Sequence, residues 1–340
     1  MKQFDLRSDT ITKPTQGMRE AMYRAEVGDD VYREDPTVNR LEAMAAQLTG
    51  KERALFVTSG SMGNLIALYI NCGRGNEVLA AQDAHIIQHE IGAPAAIAGV
   101  LPIGIAAPRG ILSAQLLADK VKPQAYDLAA TTMVEVENTI GGCCYPVENL
   151  IGIREFATVH GLKVHMDGAR VFNAQIATGV SISEYASYAD TITFCLSKGL
   201  GAPVGSLLCG NEAFYRQALK VRKMLGGGMR QSGILAAAGI YALEHHVNRL
   251  ADDHLHAQEI ARTINAAGWA EIDMDGVQTN IMFFSVEGMD GSTVVRQLEQ
   301  VGVLANAEGD NVRLVTNLSL DDEDTRQLCR ILAKFEPKKQ

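Results

Sequence analysis

The stretch Thr191-Ile-Thr-Phe-Cys-Leu-Ser-Lys-Gly-Leu-Gly-Ala-Pro-Val-Gly205 decides how this chain is read. Its alternating and β-branched residues, Thr191 to Leu196, predict a strand that stops at Ser197-Lys198-Gly199. A second apolar run, Val204 to Cys209, follows at hairpin distance. Lys198 is the only charge in the segment. A lysine at the end of a buried strand loses hydration, which favours the neutral amine that a Schiff base requires. A surface lysine after a strand would give the same local pattern, so the choice rests on the rest of the chain.

Working outward, strand-like runs alternate with helix-like ones. Ala54 to Thr58, Glu77 to Ala81, Thr132 to Val136 and Lys163 to Met166 read as strands. Thr37 to Gly50, Ser61 to Cys72, Ser113 to Val121 and Val147 to His160 read as helices. This alternation predicts an α/β fold, a mostly parallel sheet covered by helices on both faces. After about Arg230 the texture changes to two long helices, Ser232 to His246 and Arg249 to Ala267. Shorter strand-like and helical runs follow, predicting a smaller C-terminal α+β domain. The division falls at residues 1–248 and 249–340.

A chain of 340 residues with 47% hydrophobic and 21% charged content is composed like a soluble globular protein. Its net charge of −9, with no basic stretch, argues against nucleic acid as a partner. No apolar run approaches membrane-spanning length, and the first residues are too polar for a signal peptide. The six cysteines lack disulfide or zinc spacing and read as reduced thiols of a cytoplasmic protein.

Several clusters carry candidate chemistry. Ser59-Gly60-Ser61-Met62-Gly63-Asn64 sits at a strand-to-helix turn, where free backbone N–H groups and a helix N-terminus suit a phosphate or an ordinary cap. Asp167, in His165-Met-Asp-Gly-Ala-Arg170, ends a strand where α/β sheets bind ligands, and can keep a pyridinium nitrogen protonated or cap the next helix. His165 and Asp167 are read as pointing to alternate sides of that strand, which disfavours a shared metal. His85 follows a strand and can stack on a planar cofactor; His85 and His89, four apart, could otherwise hold a metal. Three glycines, 226 to 228, make a flexible loop able to deliver Arg230 to an anion. His245-His246, His254-x-His256 and Glu135-x-Glu137 read as solvated or paired groups. Phosphate cup, stacking imidazole, pyridinium aspartate and imine lysine together make the parts of a pyridoxal 5′-phosphate site.

At this point the chain resembles the L-threonine aldolases, including the L-allo-threonine and low-specificity enzymes, in the aspartate-aminotransferase-like, fold type I group. The resemblance rests on Asp5-Leu-Arg-Ser-Asp-Thr10, Glu26-Val-Gly-Asp-Asp-Val-Tyr32, Ser59 to Asn64, Ala84-His85, Glu137-Asn-Thr139, His165 to Arg170, Leu196 to Ser206 and Gly226-Gly-Gly-Met-Arg-Gln231. It implies a pyridoxal phosphate lyase that cleaves β-hydroxy-α-amino acids to glycine and an aldehyde. It implies that Lys198 holds the cofactor as an internal aldimine, Asp167 pairs with its ring nitrogen and His85 stacks on the ring. Gly60 and Ser61 would hold the phosphate, with Arg170 near the cofactor and the substrate carboxylate. Ser8 and Arg313 match carboxylate-binding positions. Tyr32, Lys223 and Arg230 match residues that reach the site from a neighbouring subunit, implying a homodimer or homotetramer.

Three positions depart from the family pattern. A histidine is usual shortly after Glu137-Asn138-Thr139, yet Ile140-Gly-Gly-Cys-Cys144 follows. His89, where related chains often have an aromatic residue, or an ordered water is expected to contact the substrate hydroxyl instead. Arg33 stands where glycine is common, and Asn317 where histidine is common. The missing histidine keeps open a β-eliminating or phenylserine-type lyase on the same scaffold.

Overall fold

The computed structural model describes residues 2–123 and 125–338. Its strands are β1 (Phe4–Asp5), β2 (Arg53–Val57), β3 (Glu77–Ala81), β4 (Leu101–Ile105), β5 (Thr131–Glu137), β6 (Lys163–Asp167), β7 (Thr191–Cys195) and β8 (Ser206–Gly210), followed by β9 (Glu271–Ile272), β10 (Ile281–Ser285), β11 (Val303–Leu304), β12 (Asn306–Glu308) and β13 (Asn311–Val315). Seven of them form one sheet in the order β2-β8-β7-β6-β5-β3-β4. Strands β4, β3, β5, β6 and β7 run parallel, while β8 is antiparallel to both of its neighbours. The β7–β8 pair is the hairpin expected around Lys198. Strands β3, β7 and β8 are buried along their whole length, which is why they read as near-continuous apolar runs.

Helix ends follow local chemistry. The Pro36–Thr49 helix starts one residue earlier than expected, because Asp35 accepts from the N–H groups of Thr37 and Val38 and Pro36 occupies the first turn. Ser59 caps the Gly60–Asn71 helix by accepting from Met62 N–H. The helix at Val147–His160 has the expected bounds, whereas the one after Ser113 shortens to Ala114–Ala118. Strand β4 is absent from the sequence reading because Pro102 and Gly104 interrupt its pattern; a sheet edge tolerates both. Helices Gln16–Tyr23, Val171–Thr178, Ile182–Ser187 and Glu212–Met224 are also additional to that reading.

Two large apolar cores are present. One surrounds the seven-stranded sheet; the other joins Ala257, Ile260 and Ile264 of the Leu250–Ala267 helix to β10 and β13. Phe4 and Leu6, grouped with residues 1–248 by sequence, pack in the second core, since β1 lies parallel to β11. The histidines expected on solvated faces also need correction. His246, His254 and His256 are buried, bonded to Leu200 C=O (2.7 Å), Asn173 (3.1 Å) and Asp322 (3.0 Å). Among the described residues, no helix is long and apolar enough to cross a membrane.

Candidate active site

The ends of β2, β3, β5, β6 and β7 meet at the carboxyl edge of the sheet, where α/β folds place ligands. β2 delivers Gly60 and Ser61, β3 His85, β5 Glu137, β6 Asp167 and β7 Lys198. Lys198 is half-buried in the turn between β7 and β8. It lies near enough to Asp9, Glu137 and His85 to influence the protonation of all three.

Asp167 is buried and accepts two hydrogen bonds, from Asn64 Nδ2 (2.7 Å) and from Ala169 N–H (2.9 Å). Both donors fix the orientation of the carboxyl group at the end of β6. Gly168 is required beside it. A Cβ there would come within 2.9 Å of Thr193 C=O, to which the Gly168 N–H donates at 2.7 Å. His85 donates from Nδ1 to Glu90 Oε1 (3.0 Å), and its backbone N–H donates to Glu137 Oε2 (2.8 Å). The bond to Glu90 raises the pKa of His85 above its usual value against the opposing effect of burial. Ligand atoms of His85, Glu90 and Asp167 lie within 4.8 Å of one another, so a compact anionic pocket surrounds the imidazole.

Of the two carboxylates read as a paired or solvated site, Glu135 is neither, and Glu137 is half-buried and bonded to the His85 backbone. Glu135 is fully buried and neither oxygen has a hydrogen-bond partner; burial and the charge of Asp167 raise its pKa well above the carboxylate range. Glu137 is pushed up to about 7 by burial and by Asp167, against its bond from His85 N–H and the charge of Lys198. His165 and Asp167 also share one face of β6, as residues two apart on a strand must, and both reach Asn64.

The remaining predicted residues occupy several places. Arg170 is engaged by Asp9 through two hydrogen bonds, leaving one guanidinium nitrogen for other partners. Ser8 accepts from Thr10 N–H (3.2 Å), and Arg313 donates to Glu308 (2.7 Å). Leu6 C=O accepts from Val315 N–H, which brings the Ser8 and Arg313 stretches side by side. Tyr32, Lys223 and Arg230 are exposed on one surface, with Arg230 paired to Asp29 at 2.8 Å and Asp30 N–H bonded to Arg230 C=O. His89 is exposed, its ring centroid 5.5 Å from that of His85.

The structure accounts for the three departures. Ile140 and Cys143 close a tight turn through Gly141 and Gly142, both at positive φ. A Cβ on Gly142 would come within 2.9 Å of Ile281, and Cys144 N–H donates to Gln278, so this buried turn is packed against the second core's segment. Its thiols offer no base: burial raises Cys144 to about 12. Arg33 adopts φ +62°, a conformation glycine favours, stabilised by ion pairs to Asp30 and Glu42. Asn317 is buried and ties Asp5 C=O (3.2 Å) to the loop after β13.

The donor set fits pyridoxal phosphate. Asp167 offers a buried carboxyl group able to face a ring nitrogen, Lys198 is an amine at the same edge, and the first-turn amides of Gly60 and Ser61 lie where a helix leaves N–H groups unsatisfied. A family model described as "Beta-eliminating lyase" matches residues 5–287. The chain belongs to the beta-eliminating lyase family. Curated relatives in sequence include the low specificity L-threonine aldolase of Escherichia coli strain K12, 45% identical over 98% of each chain. The probable low-specificity L-threonine aldolase 2 of Arabidopsis thaliana is 40% identical, again over 98% of each. Among solved structures, a Leishmania major threonine aldolase superposes with a TM-score of 0.85 at 19% identity, covering 97% of this chain and 98% of that one. A Sphingomonas wittichii serine palmitoyltransferase gives 0.75 at 15%, covering 97% and 86%. The architecture is therefore that of the fold type I enzymes, and by family the chain is a lyase.

Proposed function

We propose that this lyase uses pyridoxal 5′-phosphate to cleave L-threonine and L-allo-threonine, and β-hydroxy-α-amino acids more widely, to glycine and an aldehyde. The observation that carries the reading is the convergence of Lys198, Asp167 and His85 at one sheet edge, in a chain 45% identical to a low specificity L-threonine aldolase.

The chemistry supplied by pyridoxal phosphate when bound is an electron sink for the charge left at Cα. Lys198 is the amine that would hold the group. Asp167 would face the ring nitrogen, His85 would pack on the ring face, and the Gly60 and Ser61 amides would hold the phosphate. Ser8, Arg170 and Arg313 would orient the substrate carboxylate and so select the bond that breaks. Removing the β-hydroxyl proton turns that oxygen into the aldehyde carbonyl. The exposed Tyr32, Lys223 and Arg230 surface supports a site completed by a second copy of the chain, in a cytoplasmic homodimer or homotetramer.

The test is spectroscopic and chemical together. The purified protein is expected to carry a near-visible absorbance band that is lost, with glycine release from L-threonine, in Lys198→Ala. Retention of both in the variant would overturn the reading. The second reading, β-elimination or phenylserine cleavage, is favoured by the turn at 140–144, which places no histidine near the site. Serine and phenylserine as substrates separate it, since elimination from serine yields pyruvate.

A further inference from the structure

Three adjacent strands carry two polar rungs beneath the site. Register pairs Glu135 with His165 and His165 with Thr191; one step on, it pairs Glu137 with Asp167 and Asp167 with Thr193. Residues two apart share a face, so all six belong to one side of the sheet. The side chain that closes over both rungs is Asn64, from the first turns of the Gly60–Asn71 helix, itself 1% exposed. His165 Nε2 lies 3.1 Å from its Oδ1, while its Nδ2 donates to Asp167 Oδ2 (2.7 Å) and to Glu90 Oε1 (3.0 Å).

The hydrogen bonds have one consistent direction. Asn71 Nδ2 donates to Thr191 Oγ1 (3.2 Å), which leaves the Thr191 hydroxyl proton for His165 Nδ1 (2.9 Å). The proton of the neutral imidazole then sits on Nε2 and goes to Asn64 Oδ1. Burial keeps His165 neutral, lowering its pKa to about 4. With its oxygen used in this way, Asn64 must present its NH2 to the two carboxylates. One carboxylate, Asp167, is the group read above as the ring-nitrogen partner; the other, Glu90, holds the Nδ1–H of His85.

We propose that Asn64 is a positioning residue that locks the Asp167 carboxylate and, through Glu90, the His85 ring into one unit, so that the partners of the cofactor's ring nitrogen and ring face are set by a single amide. This rests on the reading of Asp167 and His85 given above. Without Asn64, Asp167 loses one of its two donors, so its carboxylate is less stabilised and draws the ring proton towards itself. The bound imine then takes up a proton more readily, because the positive charge on the ring is less well maintained.

The test uses the holoenzyme and its near-visible absorbance band, titrated against pH, beside steady-state kinetics with L-threonine. Asn64→Ala is expected to move the titration midpoint upward by about one unit, the size expected for losing one charged hydrogen bond. It is also expected to lower kcat about ten-fold with KM within about two-fold of wild type. A variant with lowered thermal stability but an unmoved midpoint and kcat would overturn the proposal, showing Asn64 to be packing only. If Asn64→Ala does not fold, Asn64→Ser, too short to reach both carboxylates, is read in the same way. A wild-type protein with no such band would instead defeat the cofactor reading itself.

Discussion

Arg170 grips Asp9 with Nε on one carboxylate oxygen (2.8 Å) and Nη2 on the other (2.6 Å), and both residues are buried away from water or nearly so. The pair joins the segment after β1 to the loop after β6. Asn280 Nδ2 adds a third bond to Asp9 at 3.2 Å, extending the contact into the second core's segment.

Burial acts to raise the pKa of Asp9, but the Arg170 guanidinium, helped by Lys198 and Asn280, outweighs it and brings the group to about 2 from 3.8. A depressed carboxyl pKa contributes stability that is fully present above pH 3.8 and lost as pH falls through about 2. Asp9→Asn leaves the Arg170 charge buried with no counter-ion, at a cost of about 3–5 kcal/mol. Denaturant unfolding at neutral pH checks this; a variant as stable as wild type would remove the pair from the account.

His254 gives a prediction in the opposite part of the pH range. Asn173 Nδ2 donates to its Nε2, which requires an unprotonated nitrogen, and burial with the charge of Arg249 lowers its pKa from 6.5 to about 4. Stability from the neutral ring is therefore complete above pH 6.5 and declines as pH falls towards about 4. His254→Asn keeps an acceptor and removes the titration. Its melting temperature is expected to fall less steeply than that of wild type between those limits; parallel curves would refute the assignment.

The turn at 140–144 holds no histidine, and His89 stands beside His85 with ring centroids 5.5 Å apart, which makes His89 the side chain to test for contact with the substrate hydroxyl. His89→Phe is expected to lower the retro-aldol kcat about ten-fold or more, within the usual range for a proton-transfer group. Cofactor affinity, measured by absorbance during dialysis, is expected to change far less. Equal activity in the variant would transfer the role to an ordered water.

The convergence of Lys198, Asp167 and His85 at one sheet edge was legible because each stands just at or after the end of a strand in a distinctive local context. Strand β4 was hidden by a proline and a glycine that an edge can accept. The network around Asn64 could not be read, because its partners lie 26, 101 and 103 residues away and only the packing of its helix against β6 and the loop after β3 brings them together. The burial of Glu135 was obscured for a related reason. Alternation identifies which residues share a face, but not whether a helix covers that face. The histidines at 246, 254 and 256 read as polar surface, yet each is buried with a specific hydrogen-bond partner.

Which bond this site breaks decides its reaction. Incubation with L-threonine, with glycine, acetaldehyde and 2-oxobutyrate quantified separately, measures it directly. Retro-aldol cleavage predicts glycine and acetaldehyde in equal amounts with 2-oxobutyrate as a trace. Accumulation of 2-oxobutyrate as the main product, without matching glycine, would contradict it and establish β-elimination as the reaction of this chain.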